Sequence, residues 1–376
     1  MYIQRKIQKL IEKDLYKGKV IVIYGPRQSG KTTLVKKIIE KQTNSKYLLC
    51  ELPEVSEILS SQSMERIVSY FGNNKLIVLD EAQTVKNIGR ILKLIVDTNP
   101  KIQIIATGSS SFELSNEIIE PLTGRKYEYK LLPLSVEEIV NSKDKLAADM
   151  ELEQYLIYGQ YPGVYTSKEG KNEILLQEIS SSYLFKDILA FQDIRNSEVL
   201  FKLLQMLALQ IGNEVSFTEL SNSLGIDQLT VQKYIDLLEK IFIIHRLTPF
   251  SRNLRNELNK KRKIYFYDLG IRNALIRNFN PIEIRNDIGA LWENFCINER
   301  LKYLLNNQIF VNTYFWRTWE GQELDYIEDG KGKLSGYEFK WRKEERKVNR
   351  PKKWLEEYKD SSFKVINKEN YIDFVM

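Results

Sequence analysis

Eight consecutive residues near the amino terminus, Gly25 to Thr32, read GPRQSGKT and satisfy every fixed position of the pattern G-x-x-x-x-G-K-[ST]. The chemistry open to such a run is phosphate binding. Its glycines let the backbone wrap closely around phosphates, and its amides, with the N-terminus of the helix that should follow, supply positive potential. Lys31 would meet the β- and γ-phosphates of ATP and Thr32 the Mg2+. Gly25, Pro26, Arg27, Gln28, Ser29 and Gly30, with Thr33 just inside the helix, complete the expected nucleotide contact. A second run, LIVLDEAQ (76–83), ends an apolar stretch in Asp80 and Glu81. One acid can hold magnesium through water, and the next can polarise the attacking water. A third, IIATGSSS (104–111), ends in small hydroxyl residues, where Ser109 or Ser110 can sense the γ-phosphate. Turn chemistry accounts for that Gly-Ser run equally well. Arg125, in LTGRKYEYKLLPLS, directly precedes a further strand-like stretch and reads on its own as a surface arginine.

At the other end of the chain, GQELDYIEDGKGKLSGYEFKW (321–341) reads as a β-hairpin that carries Asp325, Glu338 and Lys340 on its arms. A metal-dependent phosphodiesterase site needs carboxylates to hold a divalent cation, and a positive group to steady the nucleophile or the developing charge. Glu338 and Lys340 are two apart, so they share a strand face, and Asp325 can meet them across the hairpin. Glu293, in LWENFCINER, lies on a predicted helix and can complete the ligand set. Oxygen ligands favour Mg2+ or Mn2+ over zinc. The alternative is a surface ion-pair cluster that needs no metal.

These residues need a scaffold, and the sequence predicts one in four parts. Residues 1–135 alternate β-branched runs (19–24, 46–51, 75–80, 102–107, 126–132) with helical stretches, and four continuous apolar runs predict a parallel sheet covered on both faces. A helical connector follows over 136–195. Residues 196–250 predict a winged helix: a capping box of Ser216 and Glu219 opens one helix, Asp227 caps the next, and strand-like IIHRLTPF comes after. Gln228, Gln232 and Lys233 would face outward, but Asp236 and Glu239 would oppose phosphates, so the module can serve packing or groove reading. Residues 251–376 predict the order α-β-β-β-α-β. The fold class is thus α/β, with a parallel-sheet N-terminal domain, a helical and winged-helix middle and a second αβ domain.

Composition narrows the function classes. A hydrophobic fraction of 43% with 28% charged residues fits a globular chain rather than a disordered one. The net charge of +6 is unevenly placed: 251–263 holds six basic residues to one acid, and 341–353 seven to two. Such runs serve either a polyanion such as DNA or a solvated face. The aromatics of YFWRTW, near basic residues, suit either a nucleic-acid surface or a strand core. There is no apolar leader and no run long enough for a bilayer, so no membrane partner is expected and the location is expected to be cytoplasmic. Cys50 and Cys296 have no partner spacing and read as buried small residues; the single histidine, His245, argues against a histidine-based triad.

Taken in order, the phosphate loop, LDEAQ, TGSSS, LTGR…LLPLS, YLFKDIL, KIYFYDLG and LWENF…ELDYI…EFKW resemble the archaeal and bacterial AAA-type ATPases that carry a C-terminal domain of unknown function 4143. The resemblance covers almost the whole chain. It implies that Arg125 acts as a finger toward a neighbouring subunit's γ-phosphate, and hence a homo-oligomer. The C-terminal set resembles the PD-(D/E)xK nucleases, with Asp325, Glu338 and Lys340 on the motif and Glu293 as the helical acid. Three functions are compatible with these residues: an ATP-hydrolysing switch or motor coupled to a nuclease-like, DNA-facing tail; an ATP-controlled binding protein whose tail recognises DNA or a protein without cutting; or an ATPase, intact at both ends, that acts on something else such as a protein complex.

Overall fold

The apolar pentapeptide VIVIY forms β1 (Val20–Tyr24), buried along its whole length, and LIVLD does the same as β3 (Leu76–Asp80) once β2 (Ser45–Leu49) has been laid down. With β4 (Gln103–Gly108) and β5 (Lys126–Lys130) they make a five-stranded sheet in the order β2-β3-β4-β1-β5, every pairing parallel. Strands without alternation need cover on both faces, and helices supply it. These are α1 (Ile7–Asp14), α2 (Lys31–Ile39), α3 (Pro53–Ser60), α4 (Met64–Phe71) and α5 (Ile88–Thr98). Ile7 and Ile11, one turn apart on α1, enter the same core as Ile21, Ile23, Leu34, Val35 and Ile38.

This description, drawn from a computed structural model, covers residues 2–61, 63–108, 122–168, 170–183, 197–250, 262–318, 320–342 and 351–376. Ser109 and Ser110, most of YLFKDIL and much of both basic runs lie outside the described residues. The chain divides into two units, 1–134 with 240–242, and 135–239 with 243–376.

The second unit begins with short helices between Val136 and Glu178, the first opened by a capping box of Ser135 and Glu138. Then come α6 (Ser197–Leu209), a two-residue strand β6 (Glu214–Val215), α7 (Phe217–Leu224) and α8 (Gln228–Lys240). The Ser216 hydroxyl accepts from Glu219 N, and Asp227 accepts from Thr230 N at 2.9 Å, the two caps expected there. Next are β7 (Ile244–Pro249), β8 (Arg262–Phe266), α9 (Leu269–Leu275) and the long α10 (Ile288–Asn306). The chain closes with β9 (Asn312–Arg317), β10 (Glu323–Gly330), β11 (Lys333–Phe339), α11 (Lys352–Glu357), β12 (Ser362–Ile366) and α12 (Tyr371–Val375).

Seven of these strands form one sheet in the order β12-β11-β10-β9-β7-β8-β6. The β10–β11 hairpin turns on Lys331 and Gly332, both at positive φ, the two-residue turn that matches strand twist. β7 pairs antiparallel with β8 and parallel with β9, so the boundary expected at 250/251 falls between hydrogen-bonded strands. Trp354 on α11 is fully buried and packs with Trp316, Leu324, Ile327 and Tyr358 against one face of this sheet. Among the described residues no helix is long and apolar enough to cross a membrane.

Candidate functional site

The phosphate loop leaves β1 at Gly25, where a Cβ would lie 2.1 Å from the Leu131 carbonyl oxygen, so only glycine lets these backbones approach. Gln28 and Gly30 both take positive φ, which curls the loop before α2 starts at Lys31. Lys31 Nζ donates to the carbonyls of Gly25 (2.9 Å) and Pro26 (2.8 Å). Ser29 is fully buried, and among the described residues its hydroxyl has no hydrogen-bond partner. A buried hydroxyl without a partner is costly, and a phosphate oxygen would satisfy it. By that observation the loop fits a nucleotide phosphate.

Asp80, at the end of β3, gathers three hydroxyls. Thr32 Oγ1 donates to Oδ2 at 2.7 Å, Tyr47 OH to the same oxygen at 2.5 Å, and Thr107 Oγ1 to Oδ1. Thr32 and Asp80 would hold Mg2+ beside the phosphates. Glu81 follows in the left-handed region, φ 54°, its N–H on Thr107 Oγ1 and its carboxylate accepting from Gln83 Nε2 at 2.5 Å. Arg27 is half-buried and Thr33 exposed on the first turn of α2. Arg125 is 42% exposed and donates to Asp97 at 2.8 Å. Three contributors escape the sequence reading: Thr107 and Tyr47, which lie on other strands, and Arg5. The Arg5 guanidinium is buried and donates to the carbonyls of Ser29 (2.7 Å) and Leu132 (2.5 Å), tying the loop to the segment after β5.

The second unit brings Glu293, Asp325, Glu338 and Lys340 into one neighbourhood. Lys340 Nζ pairs with Glu338 Oε1 at 2.7 Å, and Asp325 Oδ2 accepts from Phe339 N at 2.8 Å, across the hairpin. β10 shifts register against β9 between Leu324 and Ile327, beside Asp325. Sequence reasoning did not find Lys263, Tyr265 or Glu323. Lys263 Nζ lies 3.0 Å from Glu293 Oε1, 2.6 Å from Glu323 Oε1 and 3.9 Å from Asp325 Oδ1, and Tyr265 OH donates to Glu293 at 2.6 Å. Two signals could have found them: Glu323 stands two residues before Asp325, and Lys263 and Tyr265 alternate on one strand.

Burial first, and the crowding of like charges second, disfavour ionised carboxylates here. Burial, reinforced by the charge of Asp325, pushes the Glu293 carboxyl up to about 8 and the Glu338 carboxyl up to about 7. Burial also raises Asp325. Burial works against the charge on Lys263, and Glu293, Asp325 and Glu323 overcome it, so the ammonium titrates above the ordinary lysine range. The oxygen donors are of the type that Mg2+ or Mn2+ prefers. Their present arrangement is another matter, because among the described residues no group of three or more His, Cys, Asp or Glu side chains is arranged to hold a metal ion.

Comparison with known proteins divides the chain in three. Residues 17–140 match an AAA domain, 149–282 a domain of unknown function 8612, and 288–373 the domain of unknown function 4143. An uncharacterised protein of Mycobacterium tuberculosis is 26% identical over 335 residues, 88% of this chain and 72% of its own length. One from Methanocaldococcus jannaschii is 28% identical over 364 residues, 86% of this chain and 73% of its own. Among solved structures, a Walker-type ATPase of Pyrococcus abyssi aligns with a TM-score of 0.50 at 16% identity, over 73% of this chain and 96% of that one, which is a likeness of fold. The chain therefore carries an AAA domain of the P-loop ATPase type, followed by a domain of unknown function 4143.

Proposed function

We propose that this AAA-domain protein binds ATP with Mg2+ and hydrolyses it, and that hydrolysis drives a nuclease-like, DNA-facing tail. The observation that carries the first half is the Thr32–Asp80 hydrogen bond, which joins the end of the phosphate loop to the end of β3 where Mg2+ belongs. Lys31 binds phosphate, Glu81 orients the attacking water, and the orphan hydroxyl of Ser29 faces the need for a partner that phosphate meets. Ser109 stays assigned to γ-phosphate sensing from its place after β4. Arg125, half out in solvent just ahead of β5, acts in trans in a homo-oligomer; its exposure supports that role. ATP turnover by the purified chain tests the reading. Lys31→Ala and Glu81→Gln should both abolish phosphate release, with only Lys31→Ala losing nucleotide affinity. Undiminished hydrolysis in Lys31→Ala would sink it.

In the tail, Glu293, Asp325 and Glu338 would hold Mg2+ or Mn2+, which would supply Lewis-acid activation of a phosphodiester, and Lys340 would steady developing negative charge. Their convergence from α10, β10 and β11 supports this reading, as do the basic runs on either side. Cleavage of labelled single- and double-stranded DNA with either metal, with and without ATP, tests it against Glu338→Ala. A second reading, a tail that recognises DNA or a protein without cutting, is favoured by one observation: an ammonium already sits among the carboxylates.

A further inference from the structure

We propose that Lys263 is the resident cation of the carboxylate cluster, and that its ammonium and a divalent ion exclude one another from the same oxygens. This rests on the metal reading of the tail given above. Lys263 comes from β8, outside the segment that matches the domain of unknown function 4143, while Glu293, Glu323 and Asp325 all lie within it. Its side chain is 3% exposed. Lysine is rarely buried so deeply unless its charge is paired, and here it faces acidic oxygens at 2.6, 3.0 and 3.9 Å from three different residues. An ammonium offers three donors and no acceptor, so it uses the oxygen lone pairs that a metal ion would need.

The two occupants differ in what they ask of the cluster. The lysine is tethered, carries one charge and accepts loose distances; Mg2+ requires oxygens at about 2.0–2.1 Å in near-octahedral array. Two cations a few ångströms apart in a buried place repel strongly, so one must leave for the other to enter. Lys340 is placed differently. It pairs with Glu338 at 2.7 Å and is 34% exposed, at the margin of the cluster, where it can remain with either occupant.

Mn2+ binding by calorimetry tests this on the nucleotide-free full chain, carrying Asp80→Asn so that the N-terminal site is silent. Lys263→Met should bind Mn2+ at least about tenfold more tightly than the parent, about 1.4 kcal/mol, and Lys263→Arg should not gain. Should Lys263→Met fail to fold, Lys263→Gln, which keeps a polar side chain but no charge and leaves every carboxylate in place, should also bind more tightly than the parent. Equal affinity in the parent and the Met variant overturns the exclusion but leaves the metal site standing. No binding in any folded variant overturns both.

Discussion

The two sites treat a buried carboxylate in opposite ways. Asp80 is met by the hydroxyls of Thr32, Tyr47 and Thr107, neutral groups that can turn and give up an oxygen without leaving a charge stranded. Glu293, Asp325 and Glu338 are met by one another and by the fixed charges of Lys263 and Lys340. A carboxylate held by hydroxyls is ready to accept a metal at little cost. One held by lysine must first lose its partner, and truncating either member of such a pair leaves the other charge buried.

The sharpest way to break the comparison is Lys31→Ala. ATP hydrolysis should fall by about a hundred- to a thousandfold, while the melting of the second unit and its Mn2+ binding stay where they were. A parallel loss at both ends would mean that the sites are not independent.

Acid and alkali separate other parts of the second unit. His245 Nε2 lies 2.7 Å from Asn298 Oδ1, with its ring against Tyr265 and Tyr267, and burial lowers its pKa from 6.5 to about 4. The unfolded chain therefore takes up a proton before the folded one does. Stability should fall as pH drops from about 6.5 to about 4, by about 1–3 kcal/mol after allowing for the half-buried ring. His245→Gln should flatten that limb in a urea titration, and an unchanged slope would remove His245 as its cause.

Glu338 bends the curve the other way. Its folded pKa, about 7, lies above the ordinary 4.5, so the stability it confers is present below about 4.5 and is lost as pH rises through 7. In metal-free buffer at pH 8, Glu338→Gln should be more stable than the parent by about 1–3 kcal/mol. If the variant is less stable there, the pairing with Lys340 outweighs the crowding, and the contrast between the two sites weakens.

The smallest expected effect on folding belongs to Arg125→Ala. The ion pair with Asp97 is exposed, and its loss should change stability by less than ~1 kcal/mol. Hydrolysis should nonetheless fall in a manner that mixing with Lys31→Ala chains partly restores, because each would supply what the other lacks. No rescue on mixing would return Arg125 to the surface.

What the sequence could reveal follows the same division. Lys31, Thr32 and Asp80 were legible because a phosphate loop is contiguous and a parallel strand buried on both faces ends where its apolar run ends. Thr107 is overshadowed in sequence by the serines after it, although a hydroxyl still inside β4 sits level with Asp80. Arg5 carries no signal of its own, since nothing local says that its partner is a carbonyl at position 132. The hairpin and its acids were visible from alternation and turn residues. Lys263 was not, because it closes a run of basic residues that composition reads as a patch, and only the pairing of β8 with β7 turns this one inward.

That pairing arrangement has a mechanical side. The sheet of the second unit is two antiparallel groups, β12 to β9 (with β12 added parallel) and β7 to β6, joined by a parallel seam of two residue pairs, Thr248 with Tyr314 and Pro249 with Phe315. Pro249 has no N–H to contribute to it. The seam is short, and β8 lies on one side of it while Glu323 and Asp325 lie on the other. A pull that opened it would draw Lys263 away from Glu323 and Asp325 like a bolt from its keep.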